Sequence, residues 1–323
     1  LNRTHIGAVV KHFAGYGQVS GGTNFASIEI SPRTLADEIF PPFRAAVKDA
    51  RSLGLMASHG DINGIASHAN PWLLTEVLRD QWGFEGYVVS DANDVGRLHY
   101  FMKVAETPED AVLLALKAGV DVDLYAEDAY ALLPGMAEKD PSLVSYIDQA
   151  VSRVLRTKFI LGLFDSPFMD VDKAEKEIRS EKNLALARVA DRESIILLKN
   201  ENLLPLDPEE EMIVALVGPL LDPLAREQFE SIAGSRIRFI EEKGFQLTDG
   251  ARAIPELESE LMQRKGIQKI INASQKADLV VLFAGGDEYT AKESFFNGAL
   301  GDRDNIDPAG LQDELMEEIT GLG

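Results

Sequence analysis

Asp91 follows the apolar run Gly86-Tyr87-Val88-Val89-Ser90. Tyr87-Val88-Val89 is β-branched or aromatic and uncharged, which suits a strand buried on both faces of a parallel sheet. In α/β folds the carboxyl ends of the strands face the site. A carboxylate just past such a strand is therefore the first catalytic candidate, and the competing reading is a cap, with Asp91 or Asp94 starting the next helix. Lys11 and His12 place two basic side chains at the end of another short strand; they read equally as a solvated strand end. Asp121 and Asp123 flank Val122 at a further strand end, where one lines a cleft or both serve as caps. His59, His68 and His99 read as loop or capping histidines. No His/Asp/Glu set shows metal-ligand spacing, so no metal is inferred, and no other cofactor. Gly285-Gly286 is a turn without the Lys-Ser/Thr that a phosphate loop carries.

The elements that must position these residues alternate. Residues 6–10 read as a strand, 31–50 as a helix with Pro32 just inside its start, and 53–58 as a second strand followed by a polar loop, 59–64. A helix from Trp72 to Arg79 is broken by Gly83 and Gly86 ahead of the Tyr87 strand. Thr107-Pro108-Glu109-Asp110 opens a helix that Gly119 ends, and 120–124 is a fourth strand. Strand–helix alternation means a parallel sheet and the α/β class. Short βα units with polar strand ends suit a TIM-type β/α barrel. Such a barrel needs eight strands; about four precede residue 125, so either the earlier half lies outside this sequence or the sheet is open. An amphipathic helix, 141–161, with Ile147, Val151, Val154, Leu155 and Phe159 at helical spacing closes the region. Residues 167–182 are charged and read as a linker. A second α/β unit follows, with a helix near 184–197, a strand at 213–217 turning at Gly218-Pro219, a helix at 267–275 and a strand at 277–283. Trp72 and Trp82 sit among apolar helix positions and read as core.

At 323 residues the chain has room for two domains. The formal net charge of −21 repels phosphate backbones and argues against nucleic acid as a partner. No apolar run approaches the roughly 20 residues that span a bilayer, so no membrane partner is expected. Cysteine is absent, which excludes disulfides and thiolate catalysis. The chain opens Leu1-Asn2 without Met or a leader pattern, and secreted, periplasmic and cytoplasmic compartments all stay open, as does oligomeric state.

Lys11-His12-Phe13, then Leu73-Leu74 through Arg79, then Trp82-Gly83-Phe84-Glu85-Gly86-Tyr87-Val88-Val89-Ser90-Asp91, resembles glycoside hydrolase family 3, the β-glucosidase and β-xylosidase type. Leu197-Leu198-Lys199-Asn200, Leu203-Leu204-Pro205-Leu206 and Val217-Gly218-Pro219 look like the start of that family's second domain. The resemblance implies residues 1–166 as the C-terminal part of a partial barrel, 167–182 as a linker and 183–323 as an incomplete α/β sandwich domain. It implies Asp91 as nucleophile, Lys11 and His12 as ligands of sugar hydroxyls, and His59 as a third substrate-binding residue. Glu293, in Lys292-Glu293-Ser294, is its best match for the general acid/base, in competition with Asp287 and Glu288. His59 stands where many relatives place a Tyr that orients the nucleophile, and Ala92 where many place an aromatic residue. The segment after Pro219 is short and lacks an expected Gly-Trp turn. These departures blur which sugar fits.

The implied activity is a retaining exo-β-glycosidase acting on terminal glucosyl or xylosyl residues of a β-linked oligosaccharide or glycoside. That chemistry needs two carboxyl groups about 5–5.5 Å apart, one ionised and one protonated at the start. Lys11 beside Asp91 would favour its carboxylate, and a desolvated Glu293 would stay protonated. A second reading is a non-catalytic carbohydrate-binding or structural piece, motivated by the strand count. A third is a relative that replaces Glu293 with a histidine and acts on N-acetylglucosaminides, for which no His-containing loop stands in place.

Overall fold

The computed structural model describes residues 6–22, 25–124, 129–207, 209–249, 256–287, 290 and 305–322. They form two compact units, Leu1–Asn183 and Leu184–Gly323. The first carries a parallel four-stranded sheet in the order β1 (Val9–Phe13), β2 (Gly54–Ala57), β5 (Tyr87–Ala92), β6 (Val122–Leu124). A two-stranded hairpin, β3 (Asp61–Ile62) and β4 (Ile65–Ala66), sits between β2 and β5 in sequence. Helices follow the strands, Phe40–Lys48 after β1, Asp94–Tyr100 and Pro108–Ala118 after β5. This is the strand–helix succession of a partial TIM-type barrel. The apolar runs explain it: Leu55, Ala57 and Val88 are fully buried between the helical layer, with Leu73, Leu74 and Leu78, and the other sheet face.

Local chemistry sets the ends. Ser31 accepts a hydrogen bond from the Thr34 N–H and starts the helical stretch 32–48, whose middle, Leu35–Ile39, is wound as a wider π turn. Thr107 and Asp110 form a reciprocal capping box on Pro108–Ala118. Gly86 lies against the backbone of Leu53, where a Cβ would collide with the carbonyl oxygen, so β5 can dock on the chain entering β2 only with glycine there.

Several expectations shift. β1 runs through Lys11 and His12 instead of ending before them, because Phe13 is its buried anchor, packed on Phe40, Phe43 and Trp82. The polar loop 59–64 contains a tight hairpin whose turn, Asn63-Gly64, has both φ angles positive (53° and 82°), the pairing such turns require. The helix Val144–Ile160 exists, but Val151 and Phe159 are 48% and 64% exposed, and of its residues only Ala150 and Thr157 are buried. Its described ties to the unit include arginines, Arg153 to Asp121 and Arg156 to Glu85. Residues 167–182 include a regular helix, Val171–Ile178, with no buried side chain. Trp82 is buried and Trp72 packs at the core's edge.

The second unit is an α/β layer around a three-stranded parallel sheet, β8 (Ile237–Glu242), β7 (Met212–Val217), β9 (Leu279–Leu282). β7 alternates perfectly: Ala215 and Val217 face a cluster with Ile267, Ile270 and Leu315, while Val214 and Leu216 face Ile237 and Phe239. Burial on both faces is why its sequence reads as an unbroken apolar run. β8 is absent from the sequence reading above.

Candidate active site

Three strand ends of the first unit converge on one carboxylate. His12 comes from β1, His59 lies two residues beyond β2, and Asp91 is near the end of β5. The Asp91 Oδ2 atom stands 3.2 Å from His59 Nε2 and 3.5 Å from His12 Nε2. Oδ1 accepts a hydrogen bond from the Ala92 N–H at 2.7 Å. Oδ2 is buried yet has no aligned hydrogen-bond donor, so its lone pairs are faced by imidazole nitrogens without being consumed by them. Asp91 is inside the strand and does not cap a helix; the N-cap position of Asp94–Tyr100 is Asn93.

Both ladders that carry these residues are irregular at the candidate residues themselves. Between β5 and β6 the register runs Val89–Val122 and then Ala92–Leu124, so β5 holds one extra residue across Ser90-Asp91. Between β1 and β2 it runs Val10–Leu55 and then Phe13–Ala57, with one extra residue across Lys11-His12. Bulges re-aim side chains, and near strand ends they point groups into a site.

A second layer backs the first. Asp94 Oδ2 meets His59 Nδ1 at 2.5 Å and lies 3.4 Å from His68 Nδ1, and Asp94 Oδ1 accepts from Arg97 Nη1 at 3.0 Å. His68 Nε2 accepts the Asp91 backbone N–H at 3.0 Å. A backbone N–H can only donate, so Nε2 carries no proton and the neutral ring holds its proton on Nδ1, toward Asp94. Full burial lowers the His68 pKa in keeping with that neutral state. Burial alone would raise the Asp94 pKa, but His68, His59 and Arg97 outweigh it and hold the carboxyl below its ordinary value. The His12 pKa is lowered, first by burial, with the Lys11 and His59 charges adding and Asp91 opposing. A neutral His12 offers one donor and one acceptor, the mixture that sugar hydroxyls take. Phe25 packs on His59 in a tilted contact with centroids 4.4 Å apart, and the Arg97 guanidinium lies 4.6 Å over Phe25.

The other sequence candidates separate. Lys11 is exposed and forms no ion pair with Asp91; imidazoles occupy the place the sequence reading gave its ammonium. With His12, Tyr16, Glu38 and Phe43 it lines a cavity of about 330 Å³. A cavity of about 360 Å³ in the second unit, lined by Arg236, Arg238 and Asp278, lies in the other unit from Asp91. Asp121 is structural: its oxygens take Arg153 at 2.8 Å, Arg79 at 2.7 Å and the Val88 N–H at 2.8 Å. Asp123 takes the Ser90 hydroxyl and the Ala129 N–H. His99 faces the Ala105 carbonyl. Glu293 and Glu288 lie outside the described residues, and Asp287 pairs with Thr290. Among the described residues no group of three His, Cys, Asp or Glu side chains is placed to hold a metal ion.

Sequence reasoning gave His68 only as a loop or capping histidine and Asp94 only as a cap, and did not single out Arg97. A signal existed: Asp91, Asp94 and Arg97 recur at intervals of three, which puts Asp94 and Arg97 on one helix face.

Comparison with known proteins places these features. Residues 1–157 match the Glycosyl hydrolase family 3 N terminal domain, and residues 195–323 the Glycosyl hydrolase family 3 C-terminal domain. A putative beta-xylosidase of Formosa agariphila is 60% identical over 323 residues, all of this chain and 42% of that protein. A second, named Beta-xylosidase, from the same organism is 34% identical over 358 residues, again all of this chain and 46% of that protein. The chain thus spans less than half the length of these relatives. Among solved structures, a β-glucosidase from Erythrobacter marinus superposes with a TM-score of 0.89 at 38% identity, covering 98% of this chain and 46% of that one.

Proposed function

The chain belongs to glycosyl hydrolase family 3, and from that premise we propose that it carries the nucleophile-bearing part of a retaining exo-β-glycosidase that removes terminal β-D-xylosyl or β-D-glucosyl residues. The observation that carries this reading is the Asp91 carboxylate at a strand end, buried, with one oxygen fixed by the Ala92 N–H and the other faced by two imidazoles. The names of the relatives, β-xylosidase and β-glucosidase, supply the sugar class.

In this reading an Asp91 oxygen attacks the anomeric carbon as the bond to the leaving oxygen breaks. Glu293 gives that oxygen its proton. Water then attacks the glycosyl–Asp91 ester, Glu293 takes the water's proton, and the sugar leaves with its β configuration. His12 and Lys11 bind hydroxyls of the departing sugar. His59 acts on Asp91.

The test is Asp91→Ala in the protein that carries this chain, assayed with aryl β-xylosides and β-glucosides. Hydrolysis falls to background, and azide restores turnover with an α-glycosyl azide as product, because the anion enters on the face the carboxylate vacates. In Glu293→Ala azide instead yields the β-glycosyl azide. Undiminished hydrolysis by Asp91→Ala rules the nucleophile assignment out. A β product from that variant does the same.

A further inference from the structure

Asp94 is buried, and it is neither a cap nor a surface partner of Arg97. Its side chain turns back toward the sheet, where Oδ2 meets the Nδ1 atoms of both His59 and His68, at 2.5 and 3.4 Å. Each of those rings reaches Asp91 by its other nitrogen. His59 does so at the nucleophile's carboxylate, Nε2 to Oδ2 at 3.2 Å. His68 does so at its backbone, Nε2 accepting the Asp91 N–H at 3.0 Å. We propose that Asp94 is a positioning residue for the nucleophile, holding it through two imidazoles at once, one on its side chain and one on its main chain.

The assignment rests on the proposed glycosidase reading and extends it to a residue that touches no substrate. Four features support the physical argument. An imidazole rotates about two side-chain bonds, and a carboxylate on one nitrogen fixes where the other points. Asp94 is itself fixed, since Arg97 holds Oδ1 and lies over Phe25, which packs on His59 and closes the ring of contacts. The hairpin β3–β4 returns the chain so that His59, just before it, and His68, just after it, reach the same oxygen; the Ser67 N–H bonds the Gly60 carbonyl across its base. The extra residue in β5 frees Asp91 from the regular ladder, and a bulged residue needs such external fixing.

The reacting oxygen and the anomeric carbon must approach in near-attack geometry, and a 1 Å displacement costs about 100-fold in rate. Asp94→Asn is isosteric and removes the charge that orients the rings. A 2-deoxy-2-fluoro glycoside with a dinitrophenolate leaving group measures the outcome, since the burst of dinitrophenolate counts competent sites and its rate reports the glycosylation step per site. The wild-type protein is labelled at Asp91, read by peptide mass. In Asp94→Asn the per-site labelling rate drops about 100-fold, kcat falls with it, and KM changes less than threefold. His59→Ala costs a similar factor alone but little more when added to Asp94→Asn, because the two act as one unit.

Wild-type protein unlabelled at Asp91 overturns the glycosidase reading and this proposal with it. Labelling of the wild type and of Asp94→Asn at equal per-site rates overturns the proposal alone, as do multiplicative losses in the Asp94→Asn, His59→Ala pair. Should Asp94→Asn not fold, the His68 arm decides: His68→Leu, which leaves the Asp91 N–H unpaired, must label at least tenfold more slowly than His68→Gln, which keeps an acceptor there. Equal rates for those two overturn the proposal.

Discussion

Asp121→Asn is the sharpest test of how the strand under the proposed nucleophile is held. The side chain is 1% exposed, and it binds Arg79 and Arg153 with its two oxygens while also receiving the Val88 N–H. The Asp121 N–H in turn bonds the Val88 carbonyl, so one residue fixes both polar groups of a residue three before Asp91. The ion triad is not in itself a large stabiliser: burial pushes the Asp121 pKa up, and Arg79 and Arg153 only partly counter it. Removing one partner is another matter. Arg79 is 9% exposed and would keep its charge with only the Gly86 and Gly119 carbonyls and the weaker field of Asp80 to offset it, whereas Arg153, 25% exposed, can turn to solvent. Breaking a buried pair in this way costs about 3–5 kcal/mol, and Asn, which keeps one acceptor, belongs at about 3. For a unit of this size each kcal/mol moves Tm by roughly 2–4 °C, so a fall of about 10 °C is expected. The chain has two tryptophans, Trp72 and Trp82. Both lie in the first unit, so tryptophan fluorescence, excited selectively over tyrosine, follows its unfolding without contribution from the second. A shift below about 2 °C would refute the reasoning, since it would mean that Arg79 finds another anion or that water reaches it.

Two further outcomes follow from the same structure. His68 is neutral when folded and, with its ordinary value of 6.5, charged in the unfolded chain at lower pH; the unfolded state binds more protons, so stability is intact above pH 6.5 and lost as pH falls below it, by up to about 1.4 kcal/mol per unit. Urea midpoints read from tryptophan fluorescence should decline between pH 7 and 5.5, and His68→Gln should flatten the decline; a midpoint that rises on acidification contradicts this. Gly86→Ala drives a Cβ into the Leu53 carbonyl, and the first unit should lose about 2 kcal/mol or more, measured by the same unfolding curves, while an unchanged midpoint would show that β5 can move aside.

The β5 strand was legible because burial on both faces forces an apolar run, and Asp91 was legible because a charge ends that run. The same reasoning gave four parallel strands before residue 125 and placed both tryptophans in apolar surroundings. The hairpin at Asn63-Gly64 was written in the sequence by its turn residues, yet its strands are two residues each, too short to show a period. β8 was overlooked although Ile237 and Phe239 alternate with Arg238, because the charges on its outer end mask the pattern. The bulges had no local signature at all: an extra residue is defined only against the neighbouring strand, and pairing register is a tertiary property. Lys11 was misplaced for that reason, since the register slip across Lys11-His12 leaves His12, not the ammonium, nearest to Asp91.

Asp91 and Asp121 show how one residue type takes opposite roles on neighbouring strands. Each is buried at the sheet, and each faces cationic or potentially cationic groups. Asp121 spends both oxygens on guanidiniums at 2.7–2.8 Å and on a backbone N–H, which leaves no lone pair that a reacting carbon could reach. Asp91 spends one oxygen on the Ala92 N–H, and the other meets imidazoles at 3.2 and 3.5 Å without an aligned donor. The cation that a second carboxylate needs is supplied to Asp94 by Arg97 and not to Asp91. A nucleophile must be ionised, which requires positive potential nearby, and it must keep an electron pair available, which a bidentate arginine would take. Imidazoles at slightly long range suit both demands of the proposed nucleophile, and placing the arginine one layer back, on Asp94, lets the site hold two carboxylates without tying up Asp91.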